Sequence, residues 1–211
     1  MKALHKYLGF ILFLGFSFSL FSQSPPPGTV KFKPSKTGVK HAAYIDGGVI
    51  TVQSWRDFLW WTEQEYGKES AEYKTSLPDT LIGAYPNSWI HPKNQNLPIV
   101  GITYEQAIKF CKWRSDRVNE WLKLQKNKKK YGYTATYSLP TETDFQEAYN
   151  QRIIKYFYPY LYPINELTAE KTVMIKVWRL TFKPYEEYKE CEIHNSFIGF
   201  RCVAEIEIIK K

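Results

Sequence analysis

The sequence predicts an α+β domain in which helices come first and strands follow. Three segments between residues 51 and 150 begin with a capping residue and continue with apolar residues at helical spacing. Beyond residue 150, β-branched and aromatic runs separated by turn residues are typical of strands. Helices and strands segregated in this way favour an α+β fold over a doubly wound sheet. The chain has 211 residues, 44% of them hydrophobic, so one compact domain can bury a core.

The start of the chain, residues 1–22, has the layout of a secretory signal peptide. Two lysines precede a largely apolar run from Leu8 to Phe21, and small and polar residues follow it. The run is shorter than the roughly 20 residues that span a bilayer, so we expect cleavage near Ser22 rather than a membrane anchor. No cysteine lies near Ser22, so lipid attachment through an N-terminal cysteine is not expected. The sequence predicts an exported chain that is periplasmic, outer-membrane-associated or extracellular.

Residues 23–40 are predicted to form a flexible leader, because they are rich in Pro, Ser and Gly. The domain itself is predicted over residues 41–211. The net charge falls from +8 to +6 on cleavage, since residues 1–22 contain two lysines and no acid. A basic chain can bind nucleic acid, an anionic membrane or an acidic glycan, and export argues against nucleic acid as the main partner. The lysine-rich residues 122–132 form either a solvated helix end and loop or a binding patch, and the first interpretation is favoured.

The first helix is predicted to begin after Thr51, following a short strand at Ala43–Ile45. Its core face is predicted to consist of Trp55, Phe58, Leu59 and Thr62. Residues 68–97 contain several prolines and show no period, so they are predicted to be irregular.

A long second helix is predicted after Thr103, where Gln106 completes a capping-box pattern. Its inward stripe is predicted to be Ala107, Ile108, Cys111, Ser115, Val118 and Leu122. A third helix is predicted after Thr141, with Glu142 and Asp144 in the first turn, where the helix dipole favours acids. These two carboxylates also resemble a catalytic pair, but capping explains both of them.

Three runs near the C-terminus are predicted as strands: YFYPYLYP, TVMIKVWRLTF and FIGFRCVAEIEII, with KPYEEYKE as a turn. The first run is also a candidate contact surface, because exposed aromatic side chains can stack on sugars or anchor a protein partner. Core lining explains the same residues equally well. The candidate contact residues are Tyr156, Tyr158, Tyr160 and Tyr162.

Three motifs in order resemble the formylglycine-generating enzymes, also called the sulfatase-modifying-factor family: LPIVGITYEQAIKFCKW, SLPTETDFQEAY and IGFRCV. The opening AAYIDGGVITVQSWRDF is similar to the family's opening but lacks a glutamate before its threonine. The similarity spans residues 41–204. The long helix and the lysine-rich insertion are most similar to a branch found in Bacteroidetes, which includes gliding-motility lipoproteins.

The resemblance implies a loop-rich variant of the C-type lectin-like fold, with a small antiparallel sheet and about three helices. It also implies a disulfide between Cys111 and Cys202. An exported chain meets an oxidising compartment, and both cysteines lie in apolar patterns, which agrees with this pairing. The third cysteine, Cys191, forms a CEIH segment with His194, for which an ordinary structural role is favoured over a nucleophile or half of a zinc site.

Formylglycine-generating enzymes oxidise a substrate cysteine with two cysteines that bind copper(I), a metal that prefers thiolate ligands. The corresponding stretch here, residues 174–190, contains no cysteine, and a bridged Cys202 would leave one thiol. The family's calcium-binding segment is largely missing, and no acidic cluster offers the roughly six to eight oxygens that calcium takes. We therefore predict no catalytic residue, no cofactor and no metal site.

The sequence thus predicts a non-catalytic relative of the formylglycine-generating enzymes. Its expected role is that of a structural or protein-interaction module in the bacterial cell envelope, for example in secretion or gliding machinery, with an envelope protein as partner. Two alternatives stay open. One is a glycan-binding domain that uses the aromatic run, and the other is a divergent oxidase with an unrecognised site.

Overall fold

The computed structural model describes residues 23–33, 43–79, 88–154, 165–177, 181–187 and 198–209. Its α-helices are α1 (Val52–Tyr66), α2 (Ala71–Lys74), α3 (Tyr104–Leu124), α4 (Lys128–Tyr131) and α5 (Glu142–Asn150). Two short 3-10 helices lie between α2 and α3, at Ser88–Ile90 and Pro92–Asn94. The strands are β1 (Thr29–Lys31), β2 (Tyr44–Asp46), β3 (Tyr133–Ser138), β4 (Asn165–Leu167), β5 (Thr172–Val177), β6 (Thr181–Glu187), β7 (Ile198–Gly199) and β8 (Val203–Ile208).

The described strands form two four-stranded sheets. The first sheet has the order β1-β2-β8-β3 and is antiparallel throughout. The second has the order β6-β5-β4-β7, in which β4 and β7 are parallel and the other pairs antiparallel. The predicted α+β class with a small antiparallel sheet is confirmed. The single-turn helices α2 and α4 were not predicted, since four residues are too few to show a helical period.

The three long helices begin where the sequence predicts. Thr51, Thr103 and Thr141 are their N-caps, and each side chain accepts a hydrogen bond from a backbone N–H three residues later. The capping box of α3 is complete, because the Gln106 side chain also accepts from the Thr103 N–H at 2.7 Å. The amide of Gln106 donates to the Leu77 carbonyl at 2.8 Å, so the cap also fixes the segment after α2.

Helix α3 covers β3, an edge strand of the first sheet, with polar side chains. The Asn119 amide accepts from the Ala135 N–H at 2.8 Å and donates to the Ala135 carbonyl at 2.9 Å. The Ser115 hydroxyl accepts from the Tyr137 N–H at 2.8 Å. These side chains satisfy edge groups that would otherwise be open to pairing with another strand.

The first sheet is buried on both faces, as alternate residues of its strands show. Tyr44 of β2 enters the main core with the aromatic cluster of α1 and α3, and the next residue, Ile45, enters a second core with Phe145 of α5. In the main core, the indole of Trp55 stacks on Phe110 at 5.5 Å. The predicted core face of α1 is confirmed, because Trp55, Phe58, Leu59 and Thr62 are buried.

The predicted inward stripe of α3 is wrong at Ile108. This side chain is 41% exposed, whereas Phe110, which the prediction omitted, is 1% exposed. Helix α3 packs against both α1 and β3, so its buried sector is centred on Phe110 and Cys111. The buried sector is thus rotated towards Phe110 relative to the predicted stripe. A hydrophobic period that assumes a single packing partner does not reveal this rotation.

The C-terminal strands differ from the prediction in three places. The run TVMIKVWRLTF is not one strand, because β5 ends at Val177 and β6 begins at Thr181. Residues 183–187, predicted as part of a turn, lie in β6, which is an edge strand of the second sheet and can therefore contain Pro184. The run FIGFRCVAEIEII is not one strand. It supplies β7 to the second sheet and β8 to the first, and Phe200–Cys202 connects them.

Residues 23–33, assigned by the sequence to the leader, pack against the domain. Strand β1 pairs with β2, and Phe32 is buried in the second core. The Gln151 side chain accepts from the Lys33 N–H at 2.8 Å and donates to the Lys33 carbonyl at 2.7 Å. The folded unit therefore includes residues before position 41.

Candidate functional site

The centre of the molecule contains two adjacent cysteines, Cys111 from α3 and Cys202 from the segment between β7 and β8. Their sulfur atoms lie 3.5 Å apart, and both residues are buried. A disulfide requires about 2.05 Å, so both side chains are thiols in this structure. The disulfide between them stays a prediction.

Asp46, at the end of β2, lies beside the thiols, and its carboxylate accepts three hydrogen bonds from two residues. Its carboxylate accepts two hydrogen bonds from the Arg114 guanidinium, at 2.7 and 2.8 Å. It also accepts the backbone N–H of Cys202 at 2.8 Å. This one carboxylate thus fixes the position of α3 relative to the segment that contains Cys202. Burial, the largest single influence, lowers the pKa of Arg114. The charge and hydrogen bonds of Asp46 together with Cys202 and Tyr137 outweigh burial, and the pKa lies above its ordinary value.

Arg114 is further held by the N-terminal residues and by β3. Its guanidinium donates to the Pro27 carbonyl at 2.8 Å and lies 4.3 Å from the centre of the Tyr137 ring. The Tyr137 hydroxyl donates to the same Pro27 carbonyl at 3.1 Å. Gly28, with φ +81°, makes room for this arrangement, because a Cβ there would lie 2.7 Å from the Arg114 Nη2.

A second buried ion pair lies on the other side of Cys202. Arg201 is 0% exposed, and its guanidinium donates to the two Glu166 oxygens at 2.5 and 2.6 Å. Its third nitrogen donates to the Asp46 backbone carbonyl at 3.1 Å. We refer to Asp46, Arg114, Glu166 and Arg201 as the polar network.

The environment of Cys202 disfavours thiolate chemistry. Burial raises the pKa of this thiol well above its ordinary value, and the hydrogen bond with Cys111 and the charge of Asp46 act in the same direction. Arg114 opposes the rise without cancelling it. Because the thiolate is the nucleophile and the metal ligand, a protonated Cys202 is suited to packing rather than to catalysis.

Two clefts lie on the described part of the molecule, and neither is lined by Cys111 or Cys202. The first, of about 350 Å³, is lined by Asp46, Asp57, Arg114 and Arg117 among others. The second, of about 300 Å³, lies between α1, α2 and α3. A substrate in either cleft would not contact Cys111 or Cys202.

The structure accounts for the carboxylate pair seen in the sequence. Asp144 completes the capping box of α5, since its carboxylate accepts both the N–H and the hydroxyl of Thr141. Glu142 lies in the first turn of the same helix. Other predicted residues lie outside the described part of the chain: Tyr156, Tyr158, Tyr160, Tyr162, Cys191 and His194.

Sequence reasoning missed the polar network. A signal for part of it was present, because Arg201 stands in an apolar run, between Phe200 and Cys202. An arginine in such a run requires a buried acidic partner. Sequence alone does not identify that partner as Glu166, 35 residues away, or join Asp46 to Arg114, 68 residues away.

Over the residues that the structure describes, no group of three or more His, Cys, Asp and Glu side chains is arranged to hold a metal ion. No helix in the same residues has the length and apolar character needed to cross a bilayer.

Fold and site together define an α+β domain whose Gly-Phe-Arg-Cys segment is buried between two small sheets and a long capped helix. The sulfatase-modifying factor enzyme 1-like domain matches residues 15–192, which is most of the chain. The chain therefore belongs to this family. Comparisons with curated proteins and with solved structures found no match.

Proposed function

We propose that this chain is a non-catalytic member of its family, exported by a bacterium of the Bacteroidetes type. Its role is that of a structural or protein-interaction module in the cell envelope. One observation carries the proposal: Cys111 and Cys202 lie together in the core, which leaves Cys191 as the single remaining cysteine. A copper(I) site of the kind implied by the resemblance needs two available thiolates.

The hairpin of β5 and β6 supports the same proposal. These strands occupy most of residues 174–190, the stretch that corresponds to the segment of the copper-binding cysteines in formylglycine-generating enzymes. The stretch contains no cysteine. Cys191 follows this stretch directly. If the chain were a divergent oxidase, Cys191 is the cysteine that it would use.

Copper(I) binding tests the loss of the metal site. The purified, unreduced protein is titrated against a chromogenic copper(I) chelator, with a formylglycine-generating enzyme as the positive control. We expect the positive control to take copper from the chelator and this chain to take none. Tight uptake of copper by the unreduced protein that disappears in Cys191→Ser would overturn the proposal.

Export and partnership have separate tests in the native host. We expect the protein in the envelope or periplasmic fraction, with its N-terminus near Gln23 by mass spectrometry. In-cell cross-linking followed by purification is expected to yield complexes with envelope proteins. Retention of residues 1–22 in a cytoplasmic protein would contradict export, and a solitary monomer after cross-linking would contradict the interaction role.

A further inference from the structure

One end of the molecule combines exposed apolar side chains with lysines. We call it the basic tip, and it consists of residues 121–132 together with Ile208 and Ile209. The Trp121 indole contacts the Tyr131 ring edge-on at 5.2 Å. The Ile209 N–H donates to the Gly132 carbonyl at 3.0 Å. These contacts bring the end of α3, α4 and the end of β8 into one continuous surface.

Four large apolar side chains of the basic tip are exposed to solvent: Leu124 at 80%, Ile208 at 59%, Ile209 at 58% and Trp121 at 41%. Ile208 lies on the same face of β8 as Ile206, which packs against the main core. The apolar face of the sheet therefore continues beyond the point where the core ends. Clustered apolar side chains in such a position mark a contact site.

The same surface is strongly basic. Residues 121–132 contain five lysines and no acidic residue: Lys123, Lys126, Lys128, Lys129 and Lys130, all exposed. The nearest acids in sequence are Glu120, which pairs with Arg117, and Glu207 of β8. The Lys128 ammonium donates to the last carbonyls of α3, and Lys130 lies over the Tyr131 ring, so two of the lysines are held in place.

We propose that the basic tip binds the surface of a bilayer with anionic lipid headgroups. Apolar side chains flanked by lysines enter the boundary between headgroups and acyl chains, while the ammonium groups contact phosphates. Three of the four exposed apolar side chains, Leu124, Ile208 and Ile209, are aliphatic and offer no flat face to a sugar ring, and the fourth, Trp121, already contacts Tyr131. This composition argues against a polysaccharide. Lysine is depleted in protein interfaces, which argues against a protein partner. This binding does not depend on whether the chain is catalytic.

Sedimentation with vesicles tests the inference on the full chain. The vesicles contain phosphatidylcholine alone or mixed with phosphatidylglycerol. Because the chain has seven tryptophans, insertion is measured as the part of the tryptophan fluorescence shift that is lost in Trp121→Phe. We expect stronger binding with phosphatidylglycerol than with phosphatidylcholine alone, where any binding comes from residues 1–22, and we expect salt to reduce the difference. The double variant Lys123→Gln with Lys126→Gln is expected to lose about fivefold in partitioning per lysine, which corresponds to about 1 kcal/mol each. Leu124→Gln with Ile208→Thr is expected to lower partitioning and the fluorescence shift.

The matched control is Ile108→Gln with Lys112→Gln, two exposed positions on the same helix but away from the basic tip. It is expected to bind as the wild type does. All variants retain residues 1–22, so any contribution of that segment to binding is equal among them. Equal binding by the wild type and both basic-tip variants would overturn the inference. The inference would also be overturned if the protein bound dextran sulfate as strongly as the vesicles and Leu124→Gln with Ile208→Thr left that binding unchanged. This result would indicate a general polyanion site.

Discussion

Arg201 and Glu166 form a doubly hydrogen-bonded ion pair in a site closed to solvent, with distances of 2.5 and 2.6 Å. Glu166 belongs to β4 of the second sheet. Arg201 also reaches the backbone of Asp46, at the end of β2 in the first sheet. This one arginine therefore connects the two sheets next to Cys202.

Removing one partner of this pair should destabilise the domain strongly. Glu166→Gln leaves the Arg201 guanidinium buried without its carboxylate, and breaking such a pair costs roughly 3 to 5 kcal/mol. Urea denaturation measures the free energy of unfolding. The double replacement Glu166→Leu with Arg201→Met is expected to cost less than Glu166→Gln, because no unpaired charge remains. A larger loss in the double variant would contradict this account of the pair.

Gly28→Ala is expected to disturb the Arg114 site. The φ of +81° disfavours a side chain, and the added Cβ would lie 2.7 Å from Arg114 Nη2. We expect a loss of about 1 to 2 kcal/mol in the free energy of unfolding. The matched control is Gly47→Ala, whose Cβ would meet its nearest neighbour at an ordinary 3.6 Å. Equal effects of the two substitutions would show that the contact with Arg114 is unimportant.

Tyr133 should make stability depend on alkaline pH. Burial raises its pKa from 10.0 to about 12, so between these values the unfolded chain loses the proton and the folded chain keeps it. The contribution of Tyr133 to the free energy of unfolding is therefore fully present below pH 10 and is lost as the pH rises towards 12. Tyr133→Phe is expected to reduce this fall, as measured by urea denaturation across that range. Part of the fall remains, because burial also raises the pKa of Tyr137.

At neutral pH, Tyr133→Phe is expected to leave stability unchanged or slightly increased. Within the described residues, the Tyr133 hydroxyl is buried and has no hydrogen-bond partner. Replacing this buried hydroxyl with hydrogen therefore breaks no hydrogen bond. A clear loss of stability at neutral pH would mean that the hydroxyl has a partner.

Thiol titration tests the predicted pairing of Cys111 with Cys202. The mature, unreduced protein in denaturant should show one reactive thiol, that of Cys191, out of the three cysteines in the chain. Closing a loop between residues 91 apart should stabilise the fold by roughly 4 to 5 kcal/mol in the chain-entropy description. Reduction is therefore expected to lower the midpoint of denaturation. Three reactive thiols would rule out the disulfide.

Much of the fold could be predicted because local signals determine it. The caps at Thr51, Thr103 and Thr141 and the apolar spacing of α1 set the starts and faces of the long helices. The rotation of α3 towards Phe110 was not predictable in the same way, since it depends on two packing partners that are distant in sequence.

The candidate site was predicted only in part. Cys111 and Cys202 were singled out, but the polar network around them depends on tertiary contacts between residues dozens of positions apart. The basic tip shows the same limit. Its lysines are visible in the sequence, whereas the exposed Ile208 and Ile209 join them only through the pairing of β8 with β3.

The most direct test of the central claim is an assay of cysteine oxidation. The purified protein is supplied with copper(I) and a cysteine-bearing substrate peptide, and mass spectrometry measures formation of the aldehyde, with a formylglycine-generating enzyme as the positive control. If the described sulfur pair serves only to brace the core, the peptide remains unchanged. Aldehyde formation that depends on copper and is lost in Cys191→Ser would contradict the account.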